Sequence, residues 1–232
     1  IEFFGNSEQG KTDSGERVKA LIVINPDNPS GNFIPKEDAV RLADWAEEMG
    51  ITLVLDESFI DFADGLDNSL LSQEILDSHP HLFIMKSISK SYGVAGLRLG
   101  ILASSDAAAI ASFKKDLPIW NINSFAEFYL QIEEKYRKDN AAAFEKIKTV
   151  RAEFLQDLNS IPYLRVIPSQ ANFVTAQVLA PHSSKEVTIA CLENDLIIKD
   201  LSEKEGFDGK QYIRLAVRST QDNADRKSTR LN

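Results

Sequence analysis

The sequence predicts an α/β protein in which a larger layered domain is followed by a small α+β domain. Three apolar runs, at residues 20–24, 51–55 and 82–85, are separated by predicted helices, and over residues 36–49 the apolar residues recur at helical spacing. Strands that alternate with helices in this way are typical of an α/β sheet. A long, charged, helix-favouring stretch over residues 123–159 then leads to a second group of short strands. This second group indicates a separate, smaller unit.

The elements of the larger domain follow from local signals in the sequence. Residues 20–24 form a continuous apolar run, which predicts a strand buried on both faces. A helix over residues 36–49 follows a proline and stops at Gly50. The second strand, residues 51–55, ends at Asp56. The remaining elements are predicted as a helix at 69–78, strands at 82–85 and 97–103, and a helix that Ser105 or Asp106 caps and that ends before Pro118.

One or two long helices over residues 123–159 are expected to connect the sheet to the small domain. The elements predicted for that domain are strands near 163–168 and 171–178, a helix near 183–194, and strands near 196–200 and 211–217. The tail over residues 222–232 loses its apolar residues, so we expect it to be frayed or foreign to the natural domain. The predicted divisions are the larger domain over 1–120, connecting helices over 121–160 and the small domain over 161–232.

The composition excludes several classes of function. The 232-residue chain has a net charge of −9, which argues against nucleic acid as a partner because phosphate binding requires a basic surface. Cys191 is the only cysteine, so no internal disulfide can form and a cytoplasmic location is expected. No apolar run is long enough to span a membrane, and we expect no signal peptide. The first residue is Ile1 rather than methionine, so we expect an N-terminally incomplete or processed chain.

Residues 87–100 (SISKSYGVAGLRLG) combine an amine, hydroxyls, glycines and a guanidinium directly after a predicted strand. Lys90 supplies the amine, which can form a Schiff base when it is deprotonated. Arg98, with Ser87 and Ser89, supplies the charge and the hydrogen-bond donors that a phosphate requires. The glycine spacing does not match a dinucleotide-binding loop. Taken singly, each of these residues is also compatible with an ordinary surface, capping or salt-bridging role.

Two further polar residues follow the earlier predicted strands. Asp56 ends the second strand, where α/β sheets bind ligands, and its carboxylate needs a cationic partner if it is buried. Asn28 lies in a turn stiffened by two prolines, and its side-chain amide can donate to a ring hydroxyl. The four residues follow successive predicted strands in order. Asn28 and Asp56 come first, Lys90 follows a third strand, and Arg98 lies eight residues beyond Lys90.

This ordered set resembles the site of the fold-type I, pyridoxal-phosphate-dependent aminotransferases of class I/II, and the resemblance covers nearly the whole chain. It implies a three-layer large domain, here without its N-terminal part, and a small α+β C-terminal domain. It also implies cofactor-binding residues: Lys90 as the Schiff-base amine, Arg98, Ser87 and Ser89 at the phosphate, Asp56 at the pyridine nitrogen and Asn28 at the 3-hydroxyl.

The resemblance extends to substrate-binding residues in the small domain. Arg214, in a late strand, matches the arginine that binds the substrate carboxylate, and Asn172 resembles a pocket position of the same family. The nearest relatives look like histidinol-phosphate aminotransferase and threonine-phosphate decarboxylase. Phe59 stands where many aminotransferases have a tyrosine, and together with a second arginine, Arg218, it is similar to the decarboxylase. Arg218 is a candidate to bind a phosphate or phosphonate group.

The resemblance therefore predicts an aminotransferase that moves an amino group between a 2-oxo acid and an amino acid, with phosphorylated or phosphonate-bearing amino acids among the candidates. Two alternatives stay open: a decarboxylase of a phosphorylated amino acid, and an inactive fragment or sensor domain of the same fold. The expected cofactor is pyridoxal 5'-phosphate, without a metal. The expected partners are small-molecule substrates and, for the full-length protein, a second copy in a homodimer. Neither nucleic acid nor a membrane is expected as a partner.

Overall fold

The structure is a computed structural model that describes residues 17–207 and 209–223. These residues form two compact units. The first unit contains the described residues up to Asn25, with Ile34–Asp61 and Gly65–Tyr136. The second unit contains Pro26–Phe33, Phe62–Asp64 and the described residues from Arg137 onward. The domain boundaries predicted from the sequence stay a prediction, and most of the predicted tail lies outside the described residues.

The first unit is built on a four-stranded sheet whose strands lie side by side in chain order: β1 (Ala20–Ile24), β2 (Thr52–Asp56), β3 (Leu82–Ser87) and β4 (Gly100–Ala103). Strands β1, β2 and β3 are parallel, and β4 pairs antiparallel with β3. The carboxyl ends of the three parallel strands therefore meet at one edge, where Ile24 is the partner of Asp56. This is the edge at which α/β sheets bind ligands.

The helices described in this unit are α1 (Lys36–Met49), α2 (Gln73–Ser78), α3 (Ile88–Ser91), α4 (Ala107–Lys114) and α5 (Ser124–Ile132). Helix α1 ends as predicted at Gly50, whose φ of 63° is left-handed and whose N–H donates to carbonyls of the last turn. Its buried residues are all small, namely Ala39, Ala43 and Ala46, so the helix can approach the sheet closely.

A cluster of buried apolar side chains lies at the core of the first unit and comprises Ala39, Ala43, Ala46, Ile51, Leu53, Leu55, Leu70, Leu76, Leu82 and Ile84. Burying one leucine or isoleucine side chain contributes about 1.5–3 kcal/mol. This packing, more than helix propensity, therefore holds α1 and α2 against the sheet.

Strand β1 is less buried than its sequence predicts. Leu21 and Val23 pack against the core, but Ile22 is 70% exposed. Within the described residues β1 is an edge strand of its sheet, with β2 as its neighbour. The expectation of burial on both faces is therefore wrong for the described structure, because the core covers one face and Ile22 projects from the other.

Capping residues set the start of two helices. The helix expected over residues 69–78 begins only at Gln73, because the hydroxyl of Ser72 accepts a hydrogen bond from the backbone of the first turn. Helix α4 begins after Asp106, whose Oδ1 accepts a 2.9 Å hydrogen bond from the N–H of Ala109. Of the two caps predicted for this helix, Asp106 is confirmed.

The segment between β3 and β4 contains structure that the apolar pattern did not predict. Helix α3 follows β3 directly, and Ala95–Leu97 forms a turn of 3-10 helix. Arg98 then adopts a left-handed backbone with φ 59°. The strand expected over residues 97–103 therefore begins only at Gly100.

Helix α2 is followed by a buried histidine, His79, whose exposed fraction is 6%. Its Nε2 lies 2.9 Å from a carboxylate oxygen of Asp44, and its Nδ1 lies 2.7 Å from the carbonyl oxygen of Ile75. Both oxygens only accept hydrogen bonds, so the doubly protonated ring satisfies both. Burial lowers the pKa of His79, but the contacts with Asp44, Ile75 and Glu47 outweigh burial, and the pKa is raised above its usual value.

The Asp44→Asn substitution should destabilise the protein in a pH-dependent way. Because the pKa of His79 is raised on folding, the contribution of its protonated ring is complete below the unfolded value of about 6.5 and is lost as the pH rises through the folded value. We expect a loss of about 1 kcal/mol of unfolding free energy near pH 6 that shrinks towards pH 9. Urea denaturation across this range measures it, with Glu48→Gln on the same helix as control. A loss that is constant with pH would contradict the prediction.

The second unit is built on an antiparallel sheet with the strand order β5-β6-β8-β7: β5 (Leu164–Val166), β6 (Phe173–Val178), β7 (Lys199–Asp200) and β8 (Tyr212–Ala216). The helices described here are α6 (Arg137–Asn159) and α7 (Ser184–Glu193). Their buried faces share one core with the sheet, which includes Phe154, Leu158, Val187, Val174 and Ile213. Each predicted strand and helix of the small domain is present, with shorter ends than predicted.

Helix α6 carries a buried arginine, Arg151, whose exposed fraction is 2%. Its guanidinium donates hydrogen bonds to the carbonyls of Phe62 and Ala171 and to the carboxylate of Asp64. Burial lowers the pKa of Arg151 while Asp64 raises it, and the net shift is downward. The residue therefore anchors distant segments of the second unit to α6.

No helix among the described residues, α6 included, is long and apolar enough to cross a membrane.

Candidate active site

A cavity of about 780 Å³ opens in the first unit at the carboxyl edge of the parallel strands. Five residues singled out in the sequence line it together, namely Asp56, Ser87, Ser89, Lys90 and Arg98. Its other walls are largely apolar side chains of β4 and α4. The cavity therefore combines an amine, a carboxylate, a guanidinium and two hydroxyls in one space.

Asp56 is held at the last position of β2, where its carbonyl accepts a 2.9 Å hydrogen bond from the N–H of Asn25. The N–H and the hydroxyl of Ser58 both donate to Oδ1 of its carboxylate. Within the described residues, Oδ2 makes no hydrogen bond. One carboxylate oxygen is thus anchored, and the other is available to a ligand.

Ser58 links two sides of the cavity, and the sequence reasoning missed it. Its hydroxyl donates to Asp56 and also accepts a 2.9 Å hydrogen bond from the N–H of Ser87. The available signal was its spacing, because a serine two residues after an aspartate commonly closes a hydrogen-bonded turn on the carboxylate.

Helix α3 presents Lys90 to the cavity. The Nζ atom lies 4.1 Å from the centroid of the Phe59 ring, and Phe59 is buried. The amine makes no ion pair with a carboxylate among the described residues. A lysine that rests on an aromatic ring and has no carboxylate partner can react with an electrophile without first breaking a salt bridge.

Arg98 reaches the cavity from the turn before β4. Its Nη1 donates a 3.2 Å hydrogen bond to the carbonyl of Ala95, and no carboxylate pairs with it in the part of the chain that the structure describes. Ser89 is buried, and its hydroxyl donates a long hydrogen bond of 3.3 Å to the carbonyl of Leu99. Arg98 is therefore free to bind an anion, whereas Ser89 must release its backbone partner before it can donate to one.

Two charged residues beside this set have other partners. Lys86 lines the cavity, but its amine pairs with Asp61 at 2.6 Å. Glu57 directly follows Asp56 and is 1% exposed, and it accepts hydrogen bonds from the hydroxyl of Ser69 and the N–H of Leu70. Burial raises the pKa of Glu57, the hydrogen bonds lower it, and the net shift is upward. The adjacent carboxyl groups thus differ, since Glu57 anchors a loop and Asp56 faces the cavity.

The second unit brings together two other predicted residues. Nη1 of Arg214, on β8, donates a 2.6 Å hydrogen bond to the side-chain oxygen of Asn28. The Arg214 guanidinium also lies 5.2 Å from the centroid of the Phe173 ring. The oxygen of Asn28 is therefore occupied, and its amide nitrogen is the group that it can offer to a ligand.

Asn172 and Arg218 do not join this pair by hydrogen bonds. The carbonyl of Asn172 accepts a 2.9 Å hydrogen bond from the N–H of Val217, and its side chain has no hydrogen bond within residues 17–207 and 209–223. Arg218 is exposed, and its Nε donates to the carboxylate of Asp222 at 3.0 Å. Arg218 must therefore exchange this partner before it can bind a substrate anion.

The donor set of the cavity fits pyridoxal phosphate. Lys90 is the primary amine that its aldehyde requires, the free oxygen of Asp56 suits a protonated ring nitrogen, and Arg98 suits the phosphate. Ser87 adds a hydroxyl beside them. Among the described residues, no group of three or more His, Cys, Asp and Glu side chains is arranged to hold a metal ion. The cavity is thus suited to an organic anion with an electrophilic carbon.

Comparisons with known proteins agree with this chemistry. The family model "Aminotransferase class I and II" matches residues 6–231. The chain is 34% identical to CMP-5'-(3-aminopropyl)phosphonate synthase of Streptomyces rubellomurinus and 28% identical to threonine-phosphate decarboxylase of Salmonella typhimurium, over 89% of its length in both cases. It spans 32% and 55% of those two proteins, about a third to a half of their length.

A solved structure is similar over most of the chain. Histidinol-phosphate aminotransferase of Clostridium acetobutylicum matches with a TM-score of 0.81 and 27% identity, and the match covers 91% of this chain and 63% of that one. The resemblance inferred from the sequence and the α/β fold class are both confirmed. The chain therefore belongs to the class I and II aminotransferase family, whose enzymes depend on pyridoxal phosphate.

Proposed function

We propose that the protein is a pyridoxal-phosphate-dependent enzyme that removes the carboxyl group of an amino acid bearing a phosphate or phosphonate. The observation that supports the dependence on pyridoxal phosphate is the shared cavity of Lys90, Asp56 and Arg98. Its amine, free carboxylate oxygen and unpaired guanidinium match three separate groups of one cofactor. A lysine and an arginine with purely structural roles would be expected to pair with carboxylates, as Lys86 does with Asp61, whereas Lys90 and Arg98 make no ion pair within the described residues.

In this proposal five residues of the cavity and Asn28, which does not line it, each bind one group of the cofactor. Lys90 binds its aldehyde, Asp56 its ring nitrogen, and Arg98 with Ser87 and Ser89 its phosphate, while the amide nitrogen of Asn28 serves its ring hydroxyl. The bound cofactor supplies an electron sink for the negative charge that develops at the α carbon of the substrate.

Substrate binding and proton transfer are assigned to other groups of the chain. Arg214 binds the α-carboxylate, with its guanidinium held by Asn28. Asn172 lines the substrate position, and Arg218 binds the distal phosphate or phosphonate after leaving Asp222. Decarboxylation breaks the bond between the α carbon and the carboxylate and releases carbon dioxide. The amine of Lys90 then delivers one proton to the α carbon, which yields the shortened amine.

Decarboxylation is favoured over amino transfer by Phe59 and by the relatives. Phe59 places an apolar ring, without a hydroxyl, against the amine of Lys90. One relative is named a decarboxylase of a phosphorylated amino acid, and another is named a phosphonate synthase. Amino transfer to a 2-oxo acid is the second candidate, and it is supported by the structural similarity to histidinol-phosphate aminotransferase. In that reaction Lys90 removes the α proton rather than delivering one.

Carbon dioxide release distinguishes the two reactions. We expect purified protein loaded with pyridoxal phosphate to release carbon dioxide from O-phospho-L-threonine without needing a 2-oxo acid. Carboxyl-labelled substrate measures the release, and 2-oxoglutarate is added in a parallel reaction. Release of labelled gas supports the decarboxylase, whereas amine consumption only in the presence of 2-oxoglutarate supports the aminotransferase. A visible cofactor band without either reaction would instead favour the sensor alternative.

Two further proposals concern the surroundings of the protein. We propose a homodimer, because Ile119, Trp120 and Phe125 of the first unit are 92%, 89% and 79% exposed and would be covered by a second copy. We also keep the cytoplasm as the proposed location, on the basis of a single cysteine, Cys191, which is buried.

A further inference from the structure

We infer that Thr175, a buried residue of β6, is a positioning residue that aims the guanidinium of Arg214 at the carboxylate of the substrate. The inference rests on the proposed function, in which Arg214 binds that carboxylate. Thr175 does not itself touch the substrate. It acts through the turn that carries Asn28 and Pro29.

The guanidinium of Arg214 is held in place by two contacts. The hydrogen bond from its Nη1 to Asn28 is 2.6 Å long, and Phe173 lies beneath the guanidinium. Within the described residues Arg214 has no carboxylate partner. The direction of the guanidinium therefore depends on where the turn places the side chain of Asn28.

The turn that carries Asn28 is in turn held by Thr175. The hydroxyl of Thr175 donates to the carbonyl of Pro29, the residue directly after Asn28. Thr175 is 0% exposed and Pro29 is buried, so no solvent replaces this bond if it is lost. Thr175 is also the cross-strand partner of Arg214 in the sheet. One residue thus fixes the turn relative to the strand position from which Arg214 projects.

The far end of the turn is held independently of Thr175. The carbonyl of Gly31 accepts a 2.9 Å hydrogen bond from the N–H of Gln170. A Cβ atom at Gly31 would lie 2.2 Å from Oγ of Ser169, and its φ is 78°. Inside the turn, the N–H of Gly31 donates a 2.8 Å hydrogen bond to the carbonyl of Asp27, and the hydroxyl of Ser30 donates to the Asp27 carboxylate. Within the described residues, the hydroxyl of Thr175 supplies the side-chain hydrogen bond that ties Pro29 to β6. Removing that bond should loosen the end that carries Asn28 while the other end stays in place.

The test compares ligands with and without a carboxylate. O-phospho-L-threonine has the carboxylate that Arg214 binds, and 1-amino-2-propanol O-phosphate, its decarboxylated counterpart, lacks it. Each ligand is titrated into protein loaded with pyridoxal phosphate, and the rapid change in visible absorption gives its half-saturating concentration. Thr175→Val keeps the shape of the side chain but cannot donate, and Thr175→Ser keeps the hydroxyl.

We expect Thr175→Val to weaken the response to O-phospho-L-threonine by about tenfold and the response to the decarboxylated amine by less than about twofold. Thr175→Ser should stay within about twofold of the unmodified protein for both ligands. An equal loss for both ligands, or no loss for either, would overturn the positioning role. Thermal unfolding of the cofactor-free variants checks folding, and Thr175→Ala replaces Thr175→Val if the latter does not fold. If the unmodified protein responds to neither ligand, the proposed function fails first and the inference fails with it.

Discussion

Lys90→Ala should abolish the visible absorption band of bound cofactor and lower turnover by roughly 1,000-fold or more. The amine of Lys90 lies above the Phe59 ring and makes no ion pair among the described residues, so its removal takes away the amine proposed to bind the cofactor aldehyde. Two other lysines line the cavity, namely Lys86, whose amine pairs with Asp61, and Lys114 at the end of α4. The amine of Lys90 is also the proposed proton carrier at the α carbon. Cofactor attachment and proton delivery thus both depend on Lys90, so we expect this substitution to cause the largest loss of activity.

The measurement is the absorption spectrum after addition of pyridoxal phosphate, followed by a turnover assay. Lys115→Ala is the matched control, because Lys115 is an exposed lysine of the same unit that does not line the cavity. We expect this variant to keep both the band and the activity. If Lys90→Ala kept a normal band, the covalent role of Lys90 would be refuted, even if turnover fell.

Asp56→Asn should lower cofactor affinity and turnover by roughly 100-fold. The amide keeps the size of the side chain and can still accept the hydrogen bonds of Ser58 through its oxygen. It loses the negative charge that the free Oδ2 offers to a protonated ring nitrogen. The expected loss is therefore one of charge rather than of folding.

Equilibrium titration with pyridoxal phosphate measures the affinity, and Asp116→Asn serves as an exposed control in the same unit. Ser58→Ala separates charge from position, because it keeps the carboxylate and removes one of its two anchors. We expect Ser58→Ala to lose about tenfold, less than Asp56→Asn. Equal cofactor affinity in Asp56→Asn and unmodified protein would reject the pairing with the ring nitrogen.

The regular elements were predictable because local patterns determine them. Residues 36–49 form the expected helix with the expected stop at Gly50, and the strand that ends at Asp56 lies where its apolar run predicts. The errors fall where the backbone departs from a repeating pattern. The sequence predicts a strand that begins at residue 97, yet a 3-10 turn and a left-handed arginine occupy residues 95–98. The exposure of Ile22 depends on neighbouring elements, which a local apolar run does not report.

The candidate site was predictable only in part. The sequence order of Asp56, Lys90 and Arg98 led to residues that line one cavity, and their roles remain predictions. The hydrogen bonds that hold other site residues in place were missed where the two partners lie far apart in the sequence. Ser58 bonds Ser87 across 29 positions, and Thr175 reaches Pro29 across 146. No spacing rule within one segment could have indicated either bond.

At Arg98 the left-handed backbone lowers the stability of the fold, whereas the side chain is proposed to bind the phosphate of the cofactor. A side chain in this conformation costs about 1–2 kcal/mol, and glycine would not incur that cost. Replacing Arg98 with glycine would therefore remove this backbone cost, but it would also remove the guanidinium proposed to bind the phosphate. Selection of variants for thermal stability alone would therefore favour Arg98→Gly, and the stabilised variants would bind the cofactor less tightly.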